Sequence, residues 1–129
     1  MKKNDIIQEL NKLNIKKNEF WVIGSSSLVL RNIMKEANDI DLAITKEAFE
    51  KINKNEIIYL GENNNKKWYK LNNNVEFCID KIEENKVDIQ KPYNLLNLEY
   101  YYNNIIKNST REKDKEKKEL LSKILSTYN

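Results

Sequence analysis

Two carboxylates flanking a single apolar residue, Asp39-Ile40-Asp41, lead into the apolar run Leu42-Ala43-Ile44. On a strand, alternate residues share a face, so Asp39 and Asp41 point together while Ile40 and Leu42 point to the opposite side. Like charges held this way repel each other unless a proton or a cation sits between them. Hard divalent cations such as magnesium take such oxygen ligands. The spacing therefore predicts a strand with one buried face and one face that turns two carboxylates into a common cleft.

The residues just before this pair are equally constrained. Phe20-Trp21-Val22-Ile23 reads as a buried strand and ends at Gly24, one of only two glycines in the chain. Ser25, Ser26 and Ser27 follow, and then Leu28, Leu30, Ile33 and Met34 at helical spacing, which predicts a helix from Ser25 to about Met34. A glycine between strand and helix permits close backbone approach or positive φ. Two readings of Ser25 stand side by side: it caps the helix, or it joins the free N-terminal N–H groups in holding a phosphate.

Taken together, Val22-Ile23-Gly24-Ser25 and Asp39-Ile40-Asp41-Leu42 resemble the signature of the nucleotidyltransferase superfamily, in particular its minimal members. The resemblance implies a mixed sheet, two metal-binding aspartates and a third carboxylate on a later strand. It also implies transfer of a nucleoside monophosphate from an NTP. On that basis Asp39 and Asp41 are the expected ligands of two Mg²⁺ ions, and Gly24 and Ser25 the expected holders of the β- and γ-phosphates. The family form of the third carboxylate is apolar-acid-apolar. Val75-Glu76-Phe77 matches it, so Glu76 is the candidate; Asp80 has the same strand parity and is the alternative. Glu76 departs from the aspartate more often found there. Near the C-terminus, Arg111-Glu112-Lys113-Asp114 resembles a basic-x-Lys-Asp segment of small family members, which implies Lys113 near the site.

Composition narrows the chemistry in the same direction. Histidine is absent from the 129 residues, which excludes Ser-His and Cys-His pairs, histidine general bases and histidine metal sites. The lone Cys78 excludes an intramolecular disulfide and a cysteine-rich zinc site. A net charge of +3 is too small to indicate nucleic acid or an anionic membrane as the partner. No apolar run has membrane-span length, and no apolar segment follows the basic start Met1-Lys2-Lys3, so a cytoplasmic protein is expected.

Along the rest of the chain, Ile6, Ile7, Leu10 and Leu13 predict an amphipathic helix over 5–13. A helix capped by Thr45 is expected over 46–53 and a strand over 56–60, followed by an asparagine-rich turn over 61–65. Strands over 66–71 and 75–80 flank Asn72-Asn73-Asn74, a turn signal because asparagine tolerates the left-handed region. A short edge strand is expected within 87–90. Asn94 to Ile106 reads as one helix, and Arg111 to Tyr128 as a charged helix with Leu120, Leu121, Ile124 and Leu125 as its apolar stripe. Tyr100, Tyr101 and Tyr102 read either as core or as a surface for a base. Arg31 reads as solvated or salt-bridged.

The expectation is one α/β domain. It combines a mixed, twisted sheet flanked by helices over about 1–92 with a helical C-terminal segment over about 93–129. The expected activity is Mg²⁺-dependent nucleotidyl transfer from an NTP to an unknown hydroxyl acceptor, either a small molecule, an RNA end or a protein. The rival is a catalytically degenerate binding module on the same fold, such as a toxin–antitoxin-like component acting with a partner protein. A homo-oligomer is the other form of partner expected.

Overall fold

The apolar run before Gly24 forms strand β1 (Phe20–Ile23), and the run after Asp39 forms β2 (Ile40–Ile44). The computed structural model describes residues 1–127. Five further strands complete one sheet: β3 (Ile58–Asn63), β4 (Lys66–Asn72), β5 (Val75–Ile79), β6 (Val87–Asp88) and β7 (Leu95–Leu96). The spatial order is β3-β4-β5-β2-β1-β7-β6. β2 runs antiparallel to β1 and parallel to β5, so the sheet is mixed.

The helices are α1 (Lys3–Asn11), α2 (Gly24–Leu30), α3 (Lys46–Lys51), α4 (Leu98–Tyr101) and α5 (Lys115–Thr127). α4 runs on into a π-helical turn, Tyr102–Ile106. None is long and apolar enough to cross a membrane among the described residues. The fold is thus the α/β arrangement expected: a mixed sheet flanked by helices, with a helix at the C-terminal end.

Strand parity divides the sheet into two unlike faces. Val22, Ile40, Leu42, Ile44, Val75 and Phe77 are buried on one of them with Ile6 and Leu10 of α1 and Ala48 of α3. Side chains of this size contribute roughly 1.5–3 kcal/mol each on burial, so this face supplies most of the driving force for folding. On the other face Trp21, Ala43, Cys78 and Val87 form a smaller cluster, and Asp41 and Glu76 at the start of β2 and β5 are half-buried. A third cluster, Leu28, Leu96, Tyr101, Ile106 and Leu121, docks α5 against α2 and β7.

Several boundaries differ from the sequence reading. The helix expected to reach Met34 stops at Leu30. Asn32 takes φ 63°, and the N–H groups of Ile33 and Asn32 donate to Leu28 O and Val29 O, which closes α2 with a Schellman motif. β3 begins two residues late and runs through Gly61 to Asn63, with an irregularity between Tyr59 and Gly61. The turn is only Asn64-Asn65, both with positive φ, as a two-residue hairpin requires. The single helix expected from Asn94 is instead a strand, Leu95–Leu96, followed by a helix that Asn97 caps through its side chain on the Tyr100 N–H. The last helix starts at Lys115 after a 3₁₀ turn, Glu112–Asp114. Tyr128, expected to close it, lies outside the described residues.

Candidate metal centre

β2 and β5 hold the carboxylates by their shared register. Ile40 pairs with Val75 and Asp41 with Glu76, and the Ile40 N–H donates 2.8 Å to Asn74 O. Ile40 and Val75 are both 0% exposed. A one-residue slip would drive these side chains into water and the carboxylates into the core, so burial fixes the register. Asp39, immediately before β2, and Asp41 and Glu76 within the strands then converge. Each offers an oxygen within 4.8 Å of the others. All three are half-buried.

The turn after β1 completes the arrangement. Gly24 has φ 63°, and a Cβ added there would lie 3.2 Å from Asp41 Oδ2. Both facts demand glycine: the left-handed conformation and the close approach of backbone to carboxylate. Ser26 Oγ donates to Ile23 O at 3.0 Å and accepts from the Asp41 N–H at 3.3 Å, which ties the turn to β2. Ser27 Oγ donates to Gly24 O at 2.7 Å. Ser25 is half-buried, and its hydroxyl makes no hydrogen bond among the described residues. Of the three serines, two are spent on the turn and Ser25 is free.

Burial pushes the Asp41 carboxyl up to about 7, and the neighbouring charges of Asp39 and Glu76 push in the same direction. Lys117 and Arg111 oppose the rise. A cluster of carboxylates that holds one member protonated near neutral pH lacks positive charge. Hard oxygen donors in this number fit a divalent cation.

Lys117 and Arg111 come from the C-terminal segment. Asp114, buried there, accepts 2.6 Å from Ser109 Oγ and lies 3.5 Å from Lys117 Nζ and 3.8 Å from Arg111 Nε. It gathers two cations on the side of the sheet that carries Asp41. Lys113, the expected lysine, is exposed on the 3₁₀ turn and is not among the charges acting on Asp41. Lys117 takes that place. Its three-residue spacing from Asp114 does not single it out in the sequence, because Lys118 stands four residues from the same aspartate.

The remaining candidates fall outside the cluster. Asp80 is bonded by Lys66 Nζ and lies 3.6 Å from Lys86 Nζ. Burial raises its pKa, but the hydrogen bonds from Lys66 and the Lys81 N–H outweigh this and hold it below the ordinary carboxylate value. Arg31 pairs with Asp88 at 2.5 Å, as its salt-bridged reading required. Tyr101 is core, buried in the cluster under α5, and Tyr100 and Tyr102 are half-buried and pack against that cluster. Burial pushes the Cys78 thiol up to about 12, which rules it out as a nucleophile at neutral pH. Comparison of the chain with family models, with curated proteins and with solved structures found no match.

Proposed function

We propose that this protein is a Mg²⁺-dependent nucleotidyltransferase that moves a nucleoside monophosphate from an NTP to a hydroxyl acceptor. The observation that carries the reading is the convergence of Asp39, Asp41 and Glu76 beside the Gly24 turn. Asp39 and Asp41 would hold two Mg²⁺ ions and Glu76 would complete one site. Bound there, the ions would supply charge neutralisation at the transferring phosphoryl group and a lowered pKa for the acceptor hydroxyl.

The chain's own residues have separate tasks. Gly24 lets the turn backbone approach Asp41 closely, and the free Ser25 hydroxyl and nearby N–H groups would donate to a phosphate held at the carboxylates. Lys117 and Arg111 add positive charge on the side of the C-terminal helix, where Asp114 fixes their positions. Catalysis of this kind is mostly positioning and electrostatics, which a small domain can supply.

A second reading rests on a different observation. β3 is an edge strand whose Ile58, Tyr59 and Leu60 are 63%, 53% and 47% exposed. Unpaired apolar edges are pairing templates, which favours a non-catalytic module that acts with a partner protein, as in a toxin–antitoxin-like pair. Incubation with each α-labelled NTP, Mg²⁺ and a cell extract separates the two. Label on an acceptor, lost in Asp41→Asn, supports transfer. No label, together with melting indifferent to every Mg–NTP pair, leaves the binding module.

A further inference from the structure

We propose that Lys70 binds an anionic group which the acceptor carries beside its reacting hydroxyl. The proposal rests on the nucleotidyl-transfer reading above. Register places Ile23, Asp41, Glu76, Lys70 and Ile58 in one row across β1, β2, β5, β4 and β3. Residues directly opposite on neighbouring strands share a face, so all five stand on the carboxylate side. Lys70 is half-buried, and its ammonium makes no hydrogen bond or ion pair among the described residues, although Glu76 is its cross-strand neighbour. Lys66, also on β4, is by contrast paired with Asp80. A lysine ammonium without a partner in the fold is available to an incoming anion, and a charge-assisted contact between the two is stronger than a neutral one.

The direction along the row identifies the anion's owner. The Gly24 turn follows β1, so the triphosphate lies towards the β1 end. Transfer joins the acceptor oxygen to the α-phosphorus and breaks the α–β anhydride bond. Pyrophosphate leaves with the bonding electrons, and the hydroxyl proton passes to solvent. Attack is in line with the leaving group, so the acceptor approaches from the opposite side, which is the side of β4 and β3. An acceptor hydroxyl at Glu76 has its adjoining atoms over Lys70, one strand or about 4.8 Å further on. Beyond Lys70 lies Ile58, exposed and apolar. A lysine ammonium is a compact triple donor suited to a phosphate. The row therefore fits a sugar hydroxyl close to a phosphate, with an apolar or flat portion beyond it. Sugar phosphates and the 3′ ends of nucleic acids share that chemistry.

The test uses the full chain with Mg²⁺ and a non-hydrolysable NTP analogue. Ribose 5-phosphate, a short single-stranded oligonucleotide with a free 3′-hydroxyl, and ribose are titrated against wild type, Lys70→Ala and Lys70→Arg. We expect at least one phosphate-bearing probe to bind, and the probe that binds identifies the source. Lys70→Ala should weaken that probe by about tenfold, the loss of one charge-assisted contact. Lys70→Arg should retain most of the affinity, and the Mg–NTP melting shift should be the same in all three proteins. Unchanged binding in Lys70→Ala overturns the proposal, as does ribose binding as well as ribose 5-phosphate. So does failure of both phosphorylated probes while Mg–NTP still raises the wild-type melting temperature. A wild-type protein with no Mg–NTP response removes the nucleotidyl-transfer reading itself, and the role of Lys70 with it.

Discussion

Gly24 and Asp41 approach so closely that a single added carbon at position 24 would stand 3.2 Å from Asp41 Oδ2. The contact joins the end of β1 to the start of β2. Gly24→Ala introduces that carbon and also strains a backbone held at φ 63°. The variant should lose about 1–2 kcal/mol of stability and most of its Mg–NTP melting shift. Denaturant titration measures the first effect, and melts with and without Mg–NTP measure the second. A variant with wild-type nucleotide response would show that the close approach serves packing alone.

Asp41 also makes a pH prediction. Its carboxyl is raised from 3.8 to about 7 in the fold by burial, Asp39 and Glu76. The folded state therefore binds a proton that the unfolded chain has released between those values. The stabilisation is fully present below about pH 4 and is lost as pH rises through about 7. Without metal, wild type should become less stable from pH 5 to pH 8, and Asp41→Asn should flatten that decline by about 1–2 kcal/mol at the upper end. Mg²⁺ should restore the wild type at pH 8 and leave Asp41→Asn nearly unmoved. Equal pH slopes for the two proteins would mean that Asp41 is not the group responsible.

Much of this site was legible in the sequence because strand parity is a strict rule. Asp39-Ile40-Asp41 and Val75-Glu76-Phe77 each alternate acid with apolar residue, so their faces followed once the strands were recognised. Leu95-Leu96 was hidden because a two-residue strand in the sheet interior has no alternation to display. Its leucines also continue the spacing of the helix behind it. Lys117 was hidden for another reason. It sits in the run Lys113-Asp114-Lys115-Glu116-Lys117-Lys118, where every charge reads as solvated, and only the burial of Asp114 singles it out. The free Ser25 hydroxyl could be told from its neighbours only when the bonds of Ser26 and Ser27 were known.

The C-terminal cation pair has its own signature. Lys117→Met removes one positive charge that acts on Asp41 and leaves buried Asp114 with Ser109 and the longer contact to Arg111. Breaking a buried pair from one side should cost about 1–3 kcal/mol. The double variant Lys117→Met, Asp114→Leu removes both charges and should recover much of that loss. If the lysine also serves the nucleotide, both variants should bind Mg–NTP more weakly, by roughly tenfold, whatever their stability. Recovery of stability together with full nucleotide affinity would confine Lys117 to a structural role.

Glu76 and Asp80 lie on the same strand and share its parity, yet their surroundings predict opposite behaviour. Glu76 faces Asp41 and Asp39, whereas Asp80 is bonded by Lys66 and lies close to Lys86. Glu76→Gln removes a repelling charge, so stability without metal should hold or rise slightly while the Mg²⁺-dependent shift falls away. Asp80→Asn removes a stabilised carboxylate. Its pKa lies below the ordinary value, so its contribution is present above about pH 4 and lost as pH falls through the depressed folded value. That variant should be less stable by about 1 kcal/mol at pH 7, the pairs being partly exposed, and should converge on wild type in acid. Its Mg²⁺ shift should be intact. Paired melts across pH 3–8, with and without Mg²⁺, distinguish the two carboxylates. A Mg²⁺ response lost in Asp80→Asn and kept in Glu76→Gln would move the third ligand four residues along β5.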